Sequence, residues 1–248
     1  LGAIGKAGGR PWVGRYDPEG MLMPAGIVVD ARGKVWVTEN DDTPRRVSVW
    51  TGDGRLLADL LGPGSYAVEG MADERKPEWV NVHNTIFQVN YHTGEAKTIA
   101  TVVRPNLTGL QFTQDGGYMG RVLKFRHLRG GTYIVHTGRG AVVVYRLRDD
   151  LVAEPLCATG DCGHLRFHLP KWFLDKLNPK PNQTFRWVDK NGDTLVQLDE
   201  FDIEPIPTTV RNYWGPWVDD DLGLWCSRGN EVFHVQVKEW LPNGVPVY

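Results

Sequence analysis

The chain has 248 residues, 41% hydrophobic and 10% aromatic, enough to bury at least one full core in a single large domain. Its 28 Lys and Arg against 30 Asp and Glu leave a formal charge of −2 with no long run of either sign, so no nucleic acid is expected as a partner. No stretch approaches the roughly 20 consecutive apolar residues of a membrane span, and "LGAIGKAGGR" lacks the apolar core of a signal peptide.

Residues 5–24, "GKAGGRPWVGRYDPEGMLMP", read as a connection leading into a repeating unit. The glycines of "GAIGKAGG" fit a turn there, since they lack the Lys-Ser/Thr ending of a phosphate-binding loop and precede no helix. From 24 to 62 the chain breaks into four β-rich runs at 26–30, 34–39, 45–50 and 55–61, separated by "ARG", "NDDTP" and "TGDG". A second unit follows with "GMAD", "EWVNVH", "TIFQVNY" and "AKTIATVV", and "HTGE" stands where "TGDG" stood. A third contains "GRVLKFRHL", "TYIVHT", "AVVVYRL" and "LVAEPLCAT", and a fourth opens with "GPWVDDD", "LGLWCS" and "EVFHVQVK". Four short strands recurring at roughly 40 to 50 residues are the sequence sign of a β-propeller. The expected class is therefore all-β, a propeller of four-stranded blades carrying a loop and short-helix insertion.

The first unit, "PAGIVVDARGKVWVTE" followed by "RVSVWTGDGRLL", closely resembles the NHL repeat. The resemblance is specific over 24–62, weaker over 69–103 and architectural over 117–159 and 216–248. It implies a propeller, often of six blades in that family. The expected organisation is blades over 1–159, an insertion over 160–213, and a further blade over 214–248 that looks cut short at Tyr248. Three complete units and most of a fourth are fewer than the usual ring. A segment of a larger propeller, or one completed by other chains, is expected.

Cys157 and Cys162, in "CATGDC", form either a small-loop disulfide in an oxidising compartment or a pair of buried free thiols, with Cys226 left over. A zinc site is disfavoured, because His164 and His168 face one another only if "GHLRFH" is helical. Within the insertion, Lys171 to Leu177 read as a short helix broken by Pro179 and Pro181.

Residues 189–200, "DKNGDTLVQLDE", follow. They resemble an EF-hand loop, whose oxygen ligands at positions 1, 3, 5, 7, 9 and 12 suit the six to eight hard oxygens that Ca2+ prefers. Asp189, Asn191 and Asp193 fall on the first three of these positions. Leu195 offers its carbonyl, Gln197 acts directly or through water, and Glu200 closes the loop. The resemblance gives Val196 the apolar anchoring position. It fails at Thr194, where the family has glycine, and a left-handed threonine costs of order 1 kcal/mol. The alternative is an Asn-Gly turn with surface carboxylates. One loop without helical flanks or a partner loop suits a staple better than a sensor. A staple of this kind suits the millimolar calcium outside cells, so an extracellular or periplasmic protein is expected.

In an antiparallel blade, the turns between second and third strands emerge on one face with the interblade links. Those turns hold Asp41, Asp42, His83, Asn84, His136, Arg139 and Arg228, the candidate ligand-binding residues. Two functions fit. One is a binding or scaffold module whose face contacts a glycan, peptide or protein, with Trp214 and Trp217 either stacking on sugars or packing. The other is a metal-dependent propeller enzyme of lyase or lactonase type, a carbohydrate-active hydrolase among the options, with His83, His136, Asp41 and Asp42 around a Lewis-acid metal. No Ser-His-Asp order or nucleophile elbow is present, and no catalytic residue is assigned.

Overall fold

A computed structural model of the chain describes residues 2–40, 44–62, 70–103, 110–112, 121–138, 140–205, 216–228 and 230–248. Its first hairpin shows why "VVDARGKVWV" turns where it does. Asp30 Oδ1 accepts hydrogen bonds from the backbone N–H of Arg32 at 2.8 Å and Lys34 at 2.9 Å, and Oδ2 accepts one from Trp36 Nε1 at 3.1 Å. One carboxylate thus holds both ends of the turn and an indole on the following strand. The same device recurs near the end of the chain. Asp219 accepts from the N–H groups of Asp221 at 3.0 Å and Gly223 at 2.6 Å, and from Trp225 Nε1 at 3.1 Å. Asp73 and Trp79 have the same spacing, and Asp73 again accepts from the N–H two residues on. Asp followed by Trp six residues later therefore marks the first hairpin of three units.

The described chain is mostly β, arranged as several antiparallel sheets. After β1 (Gly14–Arg15), strands β2 (Pro24–Val29), β3 (Val35–Glu39), β4 (Arg46–Trp50) and β5 (Leu56–Leu61) form a four-stranded meander. Strands β6 (Gly70–Ala72), β7 (Trp79–Val82), β8 (Thr85–Val89) and β9 (Ala96–Thr101) form a second, and β1 crosses over to pair with β9. The third begins as β10 (Arg121–Leu128), β11 (Gly131–Gly138), β12 (Ala141–Leu147) and β13 (Ala153–Asp161). Helix α1 (Lys171–Leu177) follows and ends at Asn178, whose left-handed φ of 50° turns the chain before Pro179. The stretch expected to be an insertion then adds two strands to the third sheet: β14 (Thr184–Val188) pairs with β13, and β15 (Phe201–Glu204) with β14. Strands β16 (Trp217–Val218), β17 (Leu224–Arg228) and β18 (Glu231–Val235) form a three-stranded sheet, and β19 (Glu239–Trp240) and β20 (Pro246–Val247) a two-stranded one.

The third sheet lies between two cores because its strands alternate with period two. Ile134, Val143 and Tyr145 join Ile86, Phe112, Phe185 and Trp187 on one side. Tyr133, Val135, Val142 and Val144 join Leu156, Val218, Leu222 and Leu224 on the other. The first sheet is held differently. Glu39 is buried between Arg10 and Arg46, with an oxygen 2.7 Å from each guanidinium. Arg46 also bonds Asp59, which accepts from Tyr16 Oη at 2.8 Å. Removing one member would strand a buried charge, at a cost of about 3 to 5 kcal/mol. Strand β2 leaves Ile27, Val28 and Val29 exposed. Cys157, Cys162 and Cys226 are buried free thiols, so the disulfide alternative is not realised. Among the described residues no helix is long and apolar enough to cross a membrane.

Candidate metal centre

The 189–200 loop closes the β14–β15 hairpin, directly beyond the Trp187–Phe201 pair. Its entry is fixed by the sheet, since Asp189 N–H donates to Leu156 O at 2.8 Å and the Asp189 side chain is carried inside. Asp189 Oδ1 accepts from Gly192 N–H at 2.8 Å and Oδ2 from Thr194 N–H at 3.1 Å, which curls the loop around the carboxylate. Burial pushes the Asp189 carboxyl above its ordinary range, and those N–H donors oppose the shift. The curl places Thr194 at φ 63°, in the left-handed region that glycine would enter freely. Gln111 Nε2 donates to Thr194 Oγ1 at 2.9 Å and compensates part of that strain.

The remaining donors interlock. Asn191 Oδ1 accepts from Asp193 N–H at 2.9 Å, and Asp193 Oδ1 from Leu195 N–H at 2.8 Å. Asp193 Oδ2 accepts from the side-chain amides of Asn191 at 3.1 Å and Gln197 at 2.8 Å. Val196 is buried, and its N–H donates to Leu110 O at 2.8 Å. Glu200 closes the loop from inside: Oε1 accepts from Lys190 N–H at 2.9 Å, and Oε2 from Trp187 Nε1 at 2.9 Å and Gln197 N–H at 3.3 Å. Lys190 Nζ turns away to Asp199 O at 2.9 Å and does not neutralise the loop carboxylates.

The donor set fits a hard divalent cation in chemistry and order, with three carboxylates and two amide oxygens in twelve residues. The Gln197 and Glu200 side chains bracket the 3-10 turn Leu198–Glu200 reciprocally as a capping box, which fixes the last two side-chain donors of the loop relative to one another. The carboxylates point to loop N–H groups rather than to a common centre. Accordingly, among the described residues no three His, Cys, Asp or Glu side chains are gathered closely enough to hold a metal.

The other candidates are scattered. Asp41, Asp42 and Arg139 lie outside the described residues. Arg228 is the last residue of β17, where its backbone pairs with Glu231. His83 and Asn84 form the tight turn between β7 and β8, with His83 at φ 56°, and both are buried. Asn84 is a bracket: Nδ2 donates to Val103 O at 3.0 Å, and its carbonyl accepts from Val102 N–H at 2.7 Å. His136 is buried in β11, and burial, with His168 and His83 adding to the effect, lowers its pKa to about 3. His83 and His168 therefore lie within electrostatic reach of His136 inside the molecule, but the three are not gathered closely enough to hold a metal. His164, by contrast, sits on a 3-10 turn 3.9 Å from Asp161.

Gln111 and Trp187, which hold the loop, were not candidates from the sequence. The only local signal for Trp187 is its place two residues before Asp189, and Gln111 carries none, being distant along the chain. Comparison with models of known protein families finds no match, and neither does comparison with curated proteins.

Proposed function

We propose that the chain is an extracellular or periplasmic binding or scaffold module, an NHL-like propeller of four-stranded blades in which the 189–200 loop takes a structural Ca2+. The carrying observation is a loop rich in acidic oxygens mounted on a core hairpin, with the carboxylates of Asp189 and Glu200 buried in it and Lys190 turned away. Asp189, Asn191, Asp193, Gln197 and Glu200 would supply side-chain oxygens and Leu195 its carbonyl. The bound ion would supply positive charge against the loop carboxylates and fix the hairpin edge. The two complete meanders and the recurring Asp–Trp hairpin support blades. The exposed Ile27, Val28 and Val29 support completion of the ring by another chain or further segment. A glycan, peptide or protein is the expected partner.

The enzyme alternative draws on His83, His136 and His168, three histidines buried in the interior. Their burial favours a packing role, and the binding module is preferred.

Thermal unfolding with added CaCl2 tests the proposal. At a hundredfold excess over Kd, calcium should add about 2.7 kcal/mol, about 5 to 10 °C for a chain of this size. Asp193→Ala, at an exposed position, should remove most of that rise while the protein stays folded. An unchanged response in Asp193→Ala and in Asp189→Ala with Glu200→Ala would sink the calcium assignment. A transition metal retained by the purified protein would favour the enzyme instead.

A further inference from the structure

In each meander the first and third hairpin turns lie at one end and the second turn at the other. The candidate ligand residues read from the sequence belong to the second turns. A cleft of about 460 Å3 lies at the opposite end, between the third and fourth sheets. It has the size of a small-ligand site.

One wall is rigid. Asp219 is held by the N–H groups of Asp221 and Gly223 and by Trp225 Nε1, and His234 Nε2 lies 2.9 Å from its Oδ2. The rings of His234 and Trp225 stack with centroids 4.1 Å apart and planes 12° apart. Gly223 is required there, because a Cβ would strike both the Asp219 carboxylate and the His234 ring. The facing wall is Trp240, with the Arg129 guanidinium 5.0 Å above its ring and Tyr133 against its edge at 5.5 Å. Four exposed polar residues line the cleft, Arg129, Asp221, His234 and Gln236, and the side chains of Asp221 and Gln236 take no part in the contacts just described.

These groups decide the ligand class. Asp219 is saturated by its donors, which leaves one carboxylate at Asp221 against one guanidinium at Arg129, so neither an anion nor a cation is favoured. A carboxylate, an amide and a guanidinium in a cleft with an indole wall offer both acceptors and donors. Hydroxyl groups, each able to donate and accept, match that pattern. We propose that this cleft binds a neutral saccharide of two or three rings. The assignment rests on the proposed binding function and gives it a place and a ligand class.

Isothermal titration of the whole chain with maltotriose, cellotriose, laminaritriose, xylotriose and mannotriose tests it, with trigalacturonate and spermidine as charged probes. At least one neutral trisaccharide should bind at about 1 mM or tighter. Gln236→Ala and Asp221→Ala should each weaken binding about fivefold or more, while His92→Ala, on an exposed turn elsewhere, leaves it unchanged. The cleft is overturned if no neutral trisaccharide binds, if binding ignores both rim substitutions, or if only a charged probe binds. Calcium stabilisation is read on the same protein. Silent titrations with that response intact remove the cleft alone, and saccharide binding without it removes the calcium loop alone.

Discussion

Trp187 donates its indole N–H to Glu200 Oε2 at 2.9 Å, tying the last acid of the loop to a side chain fully buried in the core. Loop and core are thereby coupled. Trp187→Phe keeps most of the packing and deletes the bond, leaving Glu200 its backbone donors. The expected loss is about 1 to 3 kcal/mol, read by urea unfolding, and calcium should restore more stability to the variant than Ca2+ adds to the parent.

Thr194 offers a separate test, because strain and a hydrogen bond oppose each other at one residue. Thr194→Gly relieves the left-handed φ but loses the bond from Gln111, so stability should change by less than about 1 kcal/mol. Thr194→Val keeps a β-branched residue at that φ and drops the hydroxyl, and should cost about 1 to 2 kcal/mol. Denaturant midpoints of the two variants compare them.

His136 should make stability fall with acid. Its pKa in the fold is about 3, against an ordinary 6.5, so the unfolded chain takes up the proton first. The stability due to the neutral, buried ring is complete above about pH 6.5 and is lost as pH falls toward 3, at up to about 1.4 kcal/mol per unit. His136→Gln should flatten the profile between pH 6.5 and 4.5, as followed by urea midpoints across pH.

Asp219 has the opposite sign. Burial raises its pKa, but the donors of Gly223, His234, Trp225 and Asp221 outweigh burial and hold the carboxyl below its ordinary value. Its contribution is therefore present above the ordinary aspartate pKa and fades as pH falls below it. Asp219→Asn should be less stable at pH 7, with the difference shrinking below about pH 3.9.

All three thiols should be inert in the folded protein. Cys157, Cys162 and Cys226 are buried, and burial pushes the Cys162 thiol up to about 12 and raises that of Cys157 as well. An aromatic disulfide reagent should label none of them at pH 8 and all three in denaturant. Rapid labelling of Cys157 without denaturant would show that the third sheet opens locally.

Local chemistry was legible in the sequence. Alternation and turn residues placed the strands of the repeating units, because side-chain period and turn geometry depend on a few adjacent residues, but not β14 and β15, which lie in the stretch read as an insertion. The helix over Lys171–Leu177 and the left-handed demand on Thr194 followed for the same reason. Tertiary structure decided what pairs with what. Strand β1 reaches β9, β14 and β15 extend the third sheet, and Gln111 reaches Thr194 across a long separation. None of these pairings leaves a periodic trace. Burial likewise turned His83 and His136 from candidate surface groups into interior ones, since a histidine near a turn carries no sign of what will pack over it. The Asp219 cleft exists only because hairpins of two sheets meet. Local sequence set the strands of the repeating units, their turns and the order of the loop oxygens, and the packing of sheets decided which further segments pair and which polar groups face solvent.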